Sequence, residues 1–100
     1  MRCDFSELAE NDLEAIGDYI AADNPQRAVS FIRELRDHCT ALLLAPERVV
    51  VDEMDGLAVR MAVHGNYKIY FFWLEAEEAV FILHIRHSAR QKPAFNPSAL

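Results

Sequence analysis

Arginine, histidine and tyrosine gather in the second half of this chain. Arg60 and His64 lie four apart in an alternating segment, Tyr67 and Tyr70 follow in an aromatic run, and His84, Arg86 and His87 close the last apolar run. Side chains of these types can move protons and stabilise charge on a five-coordinate phosphate, so such a set is chemically able to cleave RNA by general acid–base catalysis. A plainer reading makes Arg60 and Arg86 residues of a sheet face or edge that meet acids of a partner or of the first helix. Lysine is scarce, with only Lys68 and Lys92 in 100 residues, and that favours the plainer reading.

Other chemistries find less support. The histidines are His38, His64, His84 and His87, and neither Cys3 nor Cys39 is near one in sequence. No Cys-x-x-Cys or His-Glu-x-x-His spacing occurs, so no metal or other cofactor is expected. The three glycines, Gly17, Gly56 and Gly65, are too far apart for a phosphate-cradling loop. No Gly-x-Ser-x-Gly elbow presents a nucleophile. The two cysteines read as reduced core thiols, and the N-terminus lacks the apolar stretch of a secretory signal, so the expected compartment is the cytoplasm. No stretch approaches the ~20 apolar residues that span a bilayer.

The elements that must hold the polar residues follow from periodicity. Met1–Phe5 is a short candidate strand. Ser6 is a good N-cap, with Glu7 and Glu10 in the first turn behind it, and Ala9, Leu13, Ile16 and Ile20 then mark one stripe of a helix to about Ala22. Gly17 inside it is read as a site of close helix packing. Asn24-Pro25 breaks the chain and restarts it, because Asn caps a helix and Pro suits its first position. Ala28, Ile32, Leu35, Cys39 and Leu42 form the next stripe, with Arg33–Asp37 and Glu34–His38 spaced to pair on its exposed side. Past a loop through Asp52–Gly56 the period becomes two: Leu57, Val59, Met61 and Val63 alternate with Ala58, Arg60, Ala62 and His64. Gly65-Asn66 makes a hairpin to Tyr67–Leu74, and Glu75–Glu78 turns the chain into Ala79–His87. The expected fold is α+β: an N-terminal strand, then an antiparallel helical hairpin packed on a small, mainly antiparallel sheet with a three-strand C-terminal meander. One domain spans residues 1–92, and residues 93–100 form a C-terminal tail.

Charge divides along the same line. The whole chain carries 16 acidic and 10 basic residues, net −6, which argues against a free-standing nucleic-acid binder. Residues 1–56 hold 13 acids and 5 bases, whereas residues 57–100 hold 3 acids and 5 bases. Arg60, Arg86, His87, Arg90 and Lys92 are the candidate target-binding residues of that basic pole. Tyr67–Leu74 and Ala79–His87 are apolar on both sides, yet two helices cover one face only. The other face calls for a partner, with Tyr67, Tyr70, Phe72 and Leu74 as candidate contacts.

Nearly the whole chain, from about residue 3 to 91, resembles the ParE toxins of the RelE/ParE superfamily. The likeness rests on A-x-x-D-L-E-x-I-x-x-Y-I-A at Ala9–Ala21, the Asn24-Pro25 start with Ala28 and Phe31, N-Y-K-I-Y-F-F-W, and H-x-A-R at His87–Arg90. The resemblance implies the toxin half of a type II toxin–antitoxin module of the plasmid-stabilisation kind. It further implies a ParD-like antitoxin as partner and DNA gyrase as target, with nothing catalysed. RelE relatives instead cleave messenger RNA on the ribosome, with a set rich in lysine and arginine and a tyrosine near the C-terminus. Here Arg60 and Arg86 fall at basic strand positions, but Pro46–Gly56 holds four acids and no lysine, and no tyrosine follows Tyr70. Those departures favour the gyrase-type reading. A RelE-type endoribonuclease and a degenerate homologue that only binds antitoxin are the alternatives.

Overall fold

The computed structural model of the chain describes residues 1–46, 50–54 and 56–88. Strand β1 (Arg2–Phe5) leads into helices α1 (Glu7–Ala21) and α2 (Pro25–Ala41), followed by strands β2 (Val50–Met54), β3 (Leu57–His64), β4 (Tyr67–Leu74) and β5 (Ala79–His87). The α+β class, the helical hairpin and the C-terminal meander are all present. The strands make one sheet in the order β1-β5-β4-β3-β2, with β1 parallel to β5 and the other pairs antiparallel.

Local chemistry sets the helix starts. The Ser6 hydroxyl accepts from the Ala9 N–H and donates to the Leu83 carbonyl (2.7 Å), while the Ser6 N–H donates to the Ile82 carbonyl. One residue therefore ends β1, caps α1 and pins the junction to β5. Asn24 caps α2 through the Arg27 N–H, with Pro25 at the first helical position.

The helical stripes meet one face of the sheet. Ala9, Leu13 and Ile16 of α1 and Leu35 and Cys39 of α2 pack with Ala62, Tyr67, Ile69, Phe71, Val80, Ile82 and Ile85. Alternation explains Tyr67, Ile69 and Phe71, but Ile82 and Ile85 are three apart and both face inward. A β-bulge reconciles them: Tyr70 opposes His84 and Phe71 opposes Ile82, so Leu83 is the extra residue.

Two expectations are corrected. Residues Asp52–Met54, read as loop, belong to edge strand β2, paired with β3 in the register Val51↔Arg60 and Glu53↔Ala58. Asp and Glu are poor strand formers, yet an edge strand draws half of its pairing from its neighbour and leaves its acids in water. The expected partners in α2 also differ: Glu34 pairs with Arg27, Arg36 reaches Glu10 of α1, and His38 turns towards the sheet. The limit of the domain at residue 92, and the tail 93–100, lie outside the described residues.

Gly17 is likewise not demanded by packing. A Cβ there would stand 3.5 Å from Ile32 Cγ1, an ordinary van der Waals contact. Because Gly costs a helix interior about 0.5–1 kcal/mol relative to Ala, Gly17→Ala is expected to stabilise the fold by that amount. Thermal unfolding should show a rise of a few degrees; a fall would mean that the helices need the closer approach.

Candidate functional site

Where β1 stops at Phe5, the outer edge of β5 loses its partner strand, and α1 takes over. Asp12 on α1 accepts a hydrogen bond from the Ile85 N–H at 2.9 Å and a second one from the His84 Nδ1. His84 is buried and Asp12 half-buried. By register His84 stands opposite Tyr70, on the same face of β5 as Arg86, and its Nδ1 meets Asp12 of α1. Its role in the described structure is to anchor a helix.

A second cluster forms at the β3–β4 turn end of the sheet. His64, Tyr67 and His87 occupy one row across β3, β4 and β5. Above them, α2 brings Phe31 and His38. The His38 and His64 Nδ1 atoms stand 2.8 Å apart, so one ring donates its N–H to the bare nitrogen of the other. Phe31 meets His64 edge-on and tilts against Tyr67, while His87 meets Tyr67 edge-on. Burial first, and the neighbouring His64 second, hold the His38 imidazole below its ordinary range.

The sheet face away from the helices carries Tyr70, Phe72 and Leu74 of β4 opposite His84, Phe81 and Ala79 of β5. Lys68 and Arg86 stand directly opposite one another on that face, and the Arg86 guanidinium lies 5.3 Å from the Tyr70 ring centre. Like charges across a strand pair disfavour the sheet unless an anion or polar group offsets them. Tyr70 is only 3% exposed, while neighbouring Val63 is 56% exposed.

The proposed contacts therefore do not form one surface. Tyr70, Phe72 and Leu74 share the outer face, whereas Tyr67 is buried beneath α2 on the other. Arg60 opposes Phe71 and belongs to the helix side, in a hollow of about 240 Å³ with Val51, Phe71 and Trp73. Arg86, opposite Lys68, is on the outer face, two strands and three rows from Arg60. His87 ends β5 on the helix side. Arg90 and Lys92 lie outside the described residues.

Sequence reasoning missed the His38–His64 contact. A usable signal existed: Phe31, Leu35, His38 and Leu42 recur at helical spacing, which puts His38 on the buried stripe. It also missed an open groove of about 570 Å³ between α1 and α2, lined by Leu13, Ala28 and Ile32, by Glu14 and Asp18, and by the Glu10–Arg36 pair. Both cysteines are free thiols, and burial pushes that of Cys39 up to about 12, out of reach of thiolate chemistry. Among the described residues no group of three or more His, Cys, Asp or Glu is placed to hold a metal, and no helix is long and apolar enough to cross a membrane.

A helical hairpin on a mixed five-stranded sheet, with the first strand parallel to the last, is the architecture of RelE/ParE-type toxins. A chain of the chromosomal ParDE toxin–antitoxin system of P. aeruginosa is similar at a TM-score of 0.72 and 20% identity, over 87% of this chain and 95% of that one. A chain of the RelBE2 toxin–antitoxin complex of Mycobacterium tuberculosis gives 0.66 and 19%, over 86% and 95%. No curated protein matches in sequence. The family described as ParE toxin of type II toxin–antitoxin system, parDE, matches residues 3–92, and the chain belongs to that family.

Two outcomes follow from this geometry. Asp12→Ala leaves the Ile85 N–H and the His84 ring without their acceptor, and is expected to cost about 2 kcal/mol in chemical denaturation; a loss near zero would show that α1 docks without this contact. His38, held below its unfolded value, binds fewer protons folded than unfolded, so its contribution is present above the ordinary imidazole range. That contribution is lost as pH falls through the lower folded value. Melting curves from pH 8 to pH 5 should fall less steeply in His38→Gln than in the unsubstituted chain.

Proposed function

We propose that this toxin acts by binding DNA gyrase, catalyses nothing, and is neutralised by a ParD-like antitoxin. The observation that carries the non-catalytic reading is the separation of Arg60 from Arg86. Cleaving RNA requires cationic and proton-transferring groups around one phosphate, and these two arginines point to opposite faces of the sheet. The net charge of −6 supports the same reading, because a dense phosphate surface would repel the chain while a protein target would not.

The antitoxin surface is the outer sheet face. Phe72 and Leu74 supply apolar contact, Tyr70 supports them from beneath, and Lys68 with Arg86 supplies positive charge at one end. An amphipathic, acidic segment suits that pattern. Tyr67 contributes by holding the sheet's other face in place. The target surface is the basic pole, Arg86, His87, Arg90 and Lys92, with Arg60 as a separate contact on the helix side. The protein works in the cytoplasm, where gyrase and its DNA are found.

Induction in cells without antitoxin, combined with a supercoiling assay on purified gyrase, tests the reading. Growth should stop, supercoiling should be inhibited, and an Arg86→Glu, Arg90→Glu, Lys92→Glu triple variant should lose at least about tenfold in inhibition, equivalent to ~1.4 kcal/mol. Phe72→Ser with Leu74→Ser should weaken antitoxin capture and leave gyrase inhibition standing. Codon-phased cuts in translated messages would replace this reading with the RelE-type endoribonuclease. Unimpaired growth would replace it with an antitoxin-binding homologue that has lost toxicity.

A further inference from the structure

The His38–His64 contact has no part in the reading above, and its atoms converge in an unusual way. The two Nδ1 atoms face each other at 2.8 Å, with ring centres 5.0 Å apart and planes inclined at 55°. Only one of the two nitrogens can carry a proton in that arrangement, so the other is a lone pair directed at its neighbour. One ring comes from the last turns of α2 and the other from the last residue of β3, so the pair bridges the helical layer and the β3–β4 turn.

From this convergence we infer that His38 and His64 form a two-imidazole site for a divalent d-block cation, with Nδ1 of each ring as ligand and water in the remaining positions. Tetrahedral coordination at about 2.0–2.1 Å per Zn–N bond sets the two nitrogens roughly 3.3 Å apart. The rings therefore have to part by about half an ångström, which rotation about their side-chain bonds supplies. The cation takes the place of the proton between the two Nδ1 atoms. The ring that held it gives that proton to solvent and takes one up at Nε2, so both ligands are neutral and no net proton is released.

The surroundings suit a neutral pair of ligands. Both rings are half-buried, so the space between their Nδ1 atoms is partly shielded from bulk water. Phe31 edges His64 and Tyr67 packs beside both, forming an apolar wall on the sheet side. Glu34, one turn before His38, is near enough to sense the charge of His64 but is engaged by Arg27 at 2.8 Å. Among the described residues no third donor joins the two rings. Imidazole pairs completed by water select zinc, nickel or copper and exclude magnesium and calcium, which take oxygen ligands.

The test uses the tag-free full chain at pH 7.5, titrated with Zn²⁺ or Ni²⁺ and, separately, with Mg²⁺. One Zn²⁺ or Ni²⁺ per chain should bind saturably and raise the melting temperature by linkage, while Mg²⁺ does neither. His38→Gln or His64→Gln should each weaken binding by about tenfold or more. Long-range proton–nitrogen spectra of the unsubstituted chain with Zn²⁺ keep the test decisive should a variant fold poorly. The Nδ1 resonances of His38 and His64 should shift, and those of His84 should stay. Absence of saturable binding, binding that survives both substitutions, or shifts centred on other histidines would overturn the site.

Discussion

The sheet of this toxin is longer than the strand that begins it. β1 covers only the first four residues of β5, and the remaining edge of β5 would face α1 with its N–H groups unmet. Asp12 meets that constraint with one carboxylate oxygen, shared between the Ile85 N–H and the His84 ring. Because the anchor is a side chain of α1, it fixes how the helix crosses the sheet. The crossing in turn sets where α2 lies and which residues of β4 are covered. Ser6 performs the complementary task one turn earlier, at the Ile82 and Leu83 carbonyls. The bulge at Leu83 falls between these two anchors, so a local irregularity of β5 coincides with the places where the helical layer is attached.

Much of this was legible in the sequence. The helical stripes, the Ser6 and Asn24 caps and the alternation of β3 each state their structure locally, and the resemblance carried by Ala9–Ala21 and His87–Arg90 names the family. β2 was not legible, since a strand at a sheet edge owes its existence to pairing with β3 and not to its own acidic residues. The bulge was not legible either, because an extra residue in a continuous apolar run leaves no trace in the pattern. The candidate site suffered from a different cause: residues grouped by type and proximity in sequence, Arg60 with Arg86 and Tyr67 with Tyr70, are divided by the sheet itself.

The division also refines the meaning of the charge asymmetry. The acids of the first half are not spread evenly over the helical layer; Glu10, Glu14 and Asp18 line the groove between α1 and α2, beside Leu13, Ala28 and Ile32. Among the described residues, the cations of the second half split between the outer face, with Lys68 and Arg86, and the hollow at Arg60. The molecule thus presents, on its helical side, a groove with two acids, Glu14 and Asp18, beside the Glu10–Arg36 pair, and a cationic, aromatic patch on its outer side. A single linear segment that reached both would have to change its own charge along its length.

The parallel pairing of β1 with β5 joins the two ends of the described chain, Arg2 opposite Ala79 and Phe5 opposite Ile82. Contacts between such distant residues form late, after the nearer hairpins and helices have already reduced the loop to be closed. During synthesis, β1, α1 and α2 leave the ribosome well before the strand that they are built to hold. The helical hairpin must wait for β5 before its apolar stripe is fully covered. Folding of this toxin is therefore coupled to the emergence of β5.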